Sequence, residues 1–200
     1  MLVDAEGNST FESTALGSSL TILPIESLSA AESASLVFMR EEEKLAQDVY
    51  TYLATLWGGQ TRVFGNIARS EATHTEAVRQ LLARYALIDP ASTLAAGVYA
   101  NTTLQGLYTQ LVAAGTPSLV EALKVGAAIE EIDMIDLNKA LLDIDNQDIV
   151  LVYQSLLKGS RNHLRAFVTA LTAQGVIYVP QYMALADYQT IISTPMEREV

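Results

Sequence analysis

Apolar residues return every three or four positions along four long stretches of the chain, the spacing of a helix face turned toward a core. The first stretch follows Ser29-Ala30-Ala31-Glu32, which reads as a capping box. It carries Leu36, Met39, Ala46, Tyr50, Leu53 and Trp57 on one seam before Gly58-Gly59 stops it. The second runs from Thr61 to about Tyr85, with Phe64, Ile67, Val78 and Leu81 inward, and exits at Asp89-Pro90. The third opens at Thr116-Pro117, with Thr as cap and Pro in the first turn, and reaches about Ile144 through Leu119, Leu123, Leu137 and Ala140. The fourth extends from Gln147 to Gln174 with Ile149, Tyr153, Leu156, Phe167 and Leu171 inward and Gly175 as its stop. Short turns join the first stretch to the second and the third to the fourth. Residues 86–117 form one long connection with a shorter helix near Leu104 to Ala113. The pattern predicts an all-α fold: a four-helix bundle of two antiparallel hairpins joined by one long crossover that carries a short extra helix. Residues 1–29, rich in Ser, Thr and Gly without helical period, read as an irregular arm. Residues 30–175 are the bundle. Residues 176–200 are a C-terminal extension, with Val176-Ile177-Tyr178-Val179 as a short extended piece before Pro180.

Each seam is broken by polar residues at positions that should be apolar. The series 36, 43, 50, 57 contains Glu43, and the series 64, 71, 78, 85 contains Glu71, with His74 on 67, 74, 81. In the second half, 123, 130, 137, 144 contains Glu130, and 119, 126, 133, 140 contains Asp133. The last seam holds Ser160 and His163. These are the chain's two histidines, each with a polar residue at i−3 on the same face. Buried carboxylates without partners are costly, and several crowded together repel. A divalent ion or a pair of them makes such a cluster tolerable: carboxylates chelate and bridge hard cations, and each imidazole adds a neutral ligand. Glu71-Ala-Thr-His74 is a complete Glu-x-x-His, whereas Ser160-Arg-Asn-His163 lacks the carboxylate. Asp133 or a water is the replacement at that position. Glu42 competes with Glu43 for the inward place, and Glu131 with Glu130. Gly159 weakens the last helix locally by on the order of 1 kcal/mol relative to Ala and is a candidate bulge. Tyr50 and Tyr153 read as core residues, and Arg161 and Arg165 as surface or ion-pair residues.

The stretch Glu43-Lys-Leu-Ala-Gln-Asp-Val-Tyr50-Thr-Tyr52 resembles the first helix of rubrerythrin-type domains of the ferritin-like superfamily, and Ile67-Ala-Arg-Ser-Glu71-Ala-Thr-His74 resembles their second. Arg40-Glu-Glu-Glu-Lys-Leu-Ala, Ser70-Glu-x-x-His, Ile129-Glu-Glu-x-Asp and Gly159-Ser-x-Asn-His resemble more closely a prokaryotic family of ferritin-like domains of uncharacterised function. The resemblance spans about residues 30–175. It implies a non-haem iron or manganese centre of one or two ions, with Glu43, Glu71, His74, Glu130 and His163 as ligands and Asp133 beside them. It also implies an oxidoreductase chemistry of ferrous ion, oxygen or peroxide. The alternative is a non-catalytic module that keeps a relic of the site as a polar core.

Composition narrows the field. The formal charge of −11 argues against nucleic acid, because phosphates select basic surfaces. No apolar run reaches the length of a membrane span. The absence of cysteine removes disulfides, zinc–thiolate sites, iron–sulfur clusters and thiol nucleophiles. Met1 to Ser29 lack the basic and apolar regions of a signal peptide, so a cytoplasmic chain and one exported after leader removal both stay open. The arm and extension leave a homodimer open.

Overall fold

Ser29 opens the first long helix as the capping box requires. Its hydroxyl accepts from the Glu32 amide at 3.1 Å, and the Glu32 carboxylate accepts from the Ser29 amide at 2.8 Å. The structure, a computed structural model, describes residues 2–3, 9–10 and 19–197. Helix α1 (Ala30–Trp57) returns through Gly58-Gly59 into α2 (Val63–Arg84). The long connection carries α3 (Thr102–Gly115), and a second hairpin follows, α4 (Leu119–Ala140) and α5 (Gln147–Ala173). The described fold is all-α apart from β1 (Leu2–Val3), which pairs antiparallel with β2 (Ser9–Thr10). Residues 1, 4–8 and 11–18 of the arm expected at 1–29 lie outside the described residues; of the rest, 2–3 and 9–10 pair as strands, 19–21 are helical, and 24–29 carry no regular structure.

Three local expectations change. Helix α4 starts after Thr116-Pro117, because Ser118 is the residue whose hydroxyl accepts from the Glu121 amide, while the Thr116 hydroxyl donates back to the Val112 carbonyl and finishes α3. Helix α5 passes through Gly159 unbroken, so no bulge forms there. The extension, which carries neither helix nor strand at 176–180, gains a helix that was not expected, α6 (Leu185–Ile192).

Helix α1 packs against α2 and α4, α5 packs against α4 and α2, and α3 crosses both α1 and α4. The predicted seams point inward: Leu36 and Tyr50, Phe64 and Leu81, Leu123 and Leu137, Leu156 and Phe167 are all buried. Each such side chain contributes about 1.5–3 kcal/mol by leaving water. Gly126 lets α4 and α5 approach closely, since a Cβ there would collide with the Phe167 ring. None of the helices among the described residues is long and apolar enough to cross a membrane.

Candidate metal centre

The polar interruptions of the four seams meet at one level of the core. Helix α1 contributes Glu43 and α2 contributes Glu71 and His74. Helix α4 contributes Glu130 and Asp133, and α5 contributes Ser160 and His163. All seven are buried, with Asp133 the most exposed at 6%. Spacing of i, i+3 puts each pair on α2, α4 and α5 on one helix face.

Glu71 lies between the histidines. Its Oε2 is 3.0 Å from His74 Nδ1, and its Oε1 is 2.8 Å from His163 Nδ1. Each Nδ1 faces a second carboxylate, Glu43 Oε2 at 3.5 Å from His74 and Glu130 Oε2 at 3.4 Å from His163. The two imidazole rings stack with centroids 5.4 Å apart. Glu71, His74 and His163 each offer a ligand atom within 4.8 Å of the others, a group able to hold a metal ion. Asp133 is drawn elsewhere within the same cluster: the Ser160 hydroxyl donates to its Oδ2 at 2.5 Å. A carboxylate from α4 therefore meets the hydroxyl that α5 presents at this level.

Charge in this core is strongly perturbed. Burial favours the neutral form of Glu71, yet His74 and His163 outweigh it and hold its carboxyl below the usual range. Burial likewise disfavours the imidazolium of His163, but Glu130 and Glu71 raise its pKa from 6.5 to about 9. His74 is raised well above its ordinary value against the same burial, chiefly by Glu71 and Glu43. Burial dominates for Glu43, pushed from 4.5 to about 7 although His74 opposes it. Burial and then Glu43 push Asp133 well above the carboxylate range. Burial also raises Glu130, against the pull of His163.

The residues present fit a hard cation. Glu43 Oε1 and Asp133 Oδ1 are buried and meet no hydrogen-bond donor among the described residues. The donor set is carboxylate oxygen plus imidazole nitrogen, the set that iron and manganese accept. Two side chains without an expected role at the centre support it. Ser70 Oγ lies 2.9 Å from His163 Nε2, which directs Nδ1 toward the carboxylates. Tyr50 donates its hydroxyl to Glu130 Oε1 at 2.5 Å. Position one residue before the Glu-x-x-His was a signal for Ser70; nothing distinguished Tyr50 from a core aromatic.

The acidic runs divide between the centre and other partners. Glu41, Glu42 and Glu43 are all buried. Glu41 accepts from the Ala100 and Asn101 amides and anchors the start of α3. Glu130 faces the centre, whereas Glu131 accepts from the Tyr178 hydroxyl and the amides of Gln181, Tyr182 and Met183. Arg165 is buried and binds the Ile191 and Thr194 carbonyls, and Arg161 pairs with Glu197 at 2.7 Å.

The family described as "Uncharacterized protein domain (DUF2202)" matches residues 32–195, which include α6 as well as the four long helices. The uncharacterised protein MJ0754 of Methanocaldococcus jannaschii is 47% identical over 179 residues, covering 90% of this chain and 96% of that protein. The crystal structure of hypothetical protein MJ0754 from Methanococcus jannaschii matches with a TM-score of 0.84 at 47% identity, covering 88% of this chain and 99% of that one. On a family match over most of its length and a relative of nearly half its sequence, the chain belongs to the DUF2202 family of uncharacterised domains.

Proposed function

We propose that this chain is a ferritin-like four-helix bundle that holds one or two iron or manganese ions in its core. The carrying observation is Glu71, which gives one oxygen to the Nδ1 of each histidine. Glu43 with His74 forms one half of the ligand set, and Glu130 with His163 forms the other. Glu71 is shared between them, and Asp133 takes the place opposite Ser160. Bound there, the ion supplies Lewis-acid and redox chemistry toward ferrous ion, oxygen or peroxide. The protein's own part is to keep both Nδ1 atoms inward, to exclude water, and to hold the protons that ligation displaces. Metal analysis of protein from iron- and manganese-supplemented cells tests the reading. The expected content is about one to two equivalents, lost in His74→Ala. Less than about a tenth of an equivalent, unchanged by His74→Ala, overturns it.

One observation favours a second reading, a non-catalytic module with a relic site: the imidazoles and carboxylates already pair with each other, and Ser160 already satisfies one oxygen of Asp133. The donorless oxygens of Glu43 and Asp133 weigh against it. A melting temperature that chelator leaves unchanged selects the relic, because a metal bound only to the folded state raises stability.

A further inference from the structure

A second polar cluster stands apart from the centre, where α1, α2 and the loop after α2 meet. Arg40 comes from α1 and is buried, with 9% of its side chain exposed. Its Nε donates to Asp89 Oδ2 at 3.1 Å, and Asp89 also accepts from the Ala91 amide at 2.9 Å. Arg40 Nη1 is buried and meets no acceptor among the described residues. One carboxylate at Nε leaves the Nη end of the fork unanswered, and a buried guanidinium in that state is costly.

Arg79 on α2 meets the same place from the solvent side. Its Nε and Nη2 take Glu76 at 2.6 and 2.7 Å, and Nη1 lies outside that pair of bonds. The Glu76 carboxyl is held below its usual range chiefly by Arg79, with Gln80 and Arg40 adding to the effect. Arg40 and Arg79 line one open cleft of about 360 Å³, together with Leu82, Leu87 and Ala91, and Ser92 stands exposed beside them. That volume lies in the range of about 300–1,000 Å³ common for small-molecule sites. The turn after α2 builds the outer wall. Ala86 takes φ +53°, the left-handed region, and the Leu87 amide returns to the Leu82 carbonyl at 2.9 Å. The chain is thereby carried back toward α1, where Asp89 meets Arg40.

We propose that this cleft binds a small organic oxyanion, its phosphate or carboxylate head between Arg40 and Arg79 and its apolar body against Leu82 and Leu87. Guanidinium forks match both heads, because their paired donors meet paired oxygens. Asp89 and Glu76 orient the two forks and balance their charge. Recognition therefore comes from directed donors rather than from a net positive field. The apolar wall selects an anion that carries a hydrocarbon part over a bare inorganic one. Among the described residues neither arginine bonds a residue of the metal centre, so the cleft stands independently of that reading.

The test is calorimetric titration of metal-free full-length protein at low salt, so that no anion binds through a metal. The probes are n-butyl phosphate and butyrate, each beside its head alone, inorganic phosphate and acetate. The expected result is one equivalent of n-butyl phosphate or butyrate, bound about tenfold more tightly than the head alone because the tail leaves water. The tighter of the two names the head. Arg79→Gln is expected to weaken that binding about tenfold, and Glu76→Gln to tighten it severalfold by releasing the Arg79 fork. A gain of affinity cannot come from lost structure. Both side chains are partly exposed, so this pair keeps the test decisive if Arg40→Gln, expected to abolish binding, fails to fold. Circular dichroism with thermal melting checks the folding of each variant. Three results overturn the site: no saturation by either probe up to about 10 mM, heads alone binding as tightly as the tailed probes, or parent affinity in both Arg79→Gln and Glu76→Gln. Each of them leaves the metal centre untouched.

Discussion

At position 160 a hydroxyl stands where the pattern of Glu71-x-x-His74 asks for a carboxylate, and Asp133 reaches across from α4 to meet it. A hydroxyl is a poor ligand for a hard cation, so the serine acts by fixing Asp133 rather than by binding metal. Groups that orient a ligand typically contribute 10–100-fold to metal affinity. Ser160→Ala is therefore expected to weaken manganese binding about tenfold, and Asp133→Ala about a hundredfold, in calorimetric titration. The reverse order would remove Asp133 from the ligand set. His74 and His163 differ in the same way. His74 sits in a complete Glu-x-x-His, whereas His163 borrows Glu71 from α2 and takes its orientation from Ser70.

Helix α4 serves two sites with adjacent residues, Glu130 toward the centre and Glu131 toward the C-terminal extension. Glu131 gathers one hydroxyl and three amides from residues 178–183, and Arg165 on α5 holds residues 191–194. Glu131→Ala leaves those donors unsatisfied at about 1–3 kcal/mol for each that stays buried. The expected outcome is a lower melting temperature and rapid proteolysis within 176–197, with bound metal unchanged. Metal loss in step with proteolysis would show that the extension supports the centre as well. The four long helices and the residues that meet in the core were legible because seam spacing is local, and a charge on an apolar face stands out within one turn. The fates of Glu41 and Glu131 were not legible. Their partners are loop amides and a tail up to about 60 residues away in the chain, and no periodicity encodes a carboxylate that waits for an amide. Helix α6 was missed for a related reason: at eight residues it carries too few turns for an apolar period, and it is held by packing and by Arg165.

Over the whole molecule, the charges of this core make stability depend on both pH and metal. Glu71 is depressed below its ordinary 4.5, so its contribution is present above 4.5 and is lost as pH falls through the folded value. Glu43 is raised from 4.5 to about 7, so its contribution is full below 4.5 and is lost as pH rises through about 7. His163 is raised from 6.5 to about 9, so its contribution is full below 6.5 and is lost as pH rises through about 9. The metal-free protein is therefore expected to be most stable near about pH 5 and to lose several degrees of melting temperature by about pH 9. Metal reverses that slope. Ligation requires neutral imidazole, so each proton displaced raises apparent affinity about tenfold per pH unit until the imidazole titrates. Tighter binding at higher pH then adds stability to the folded state. Thermal melts between about pH 5 and 9, in chelator and in excess manganese, check both slopes. A metal-free melting temperature that climbs through this range would mean that the imidazoles are neutral in the folded protein. Glu71 would then lack the cationic partners that hold its carboxyl low.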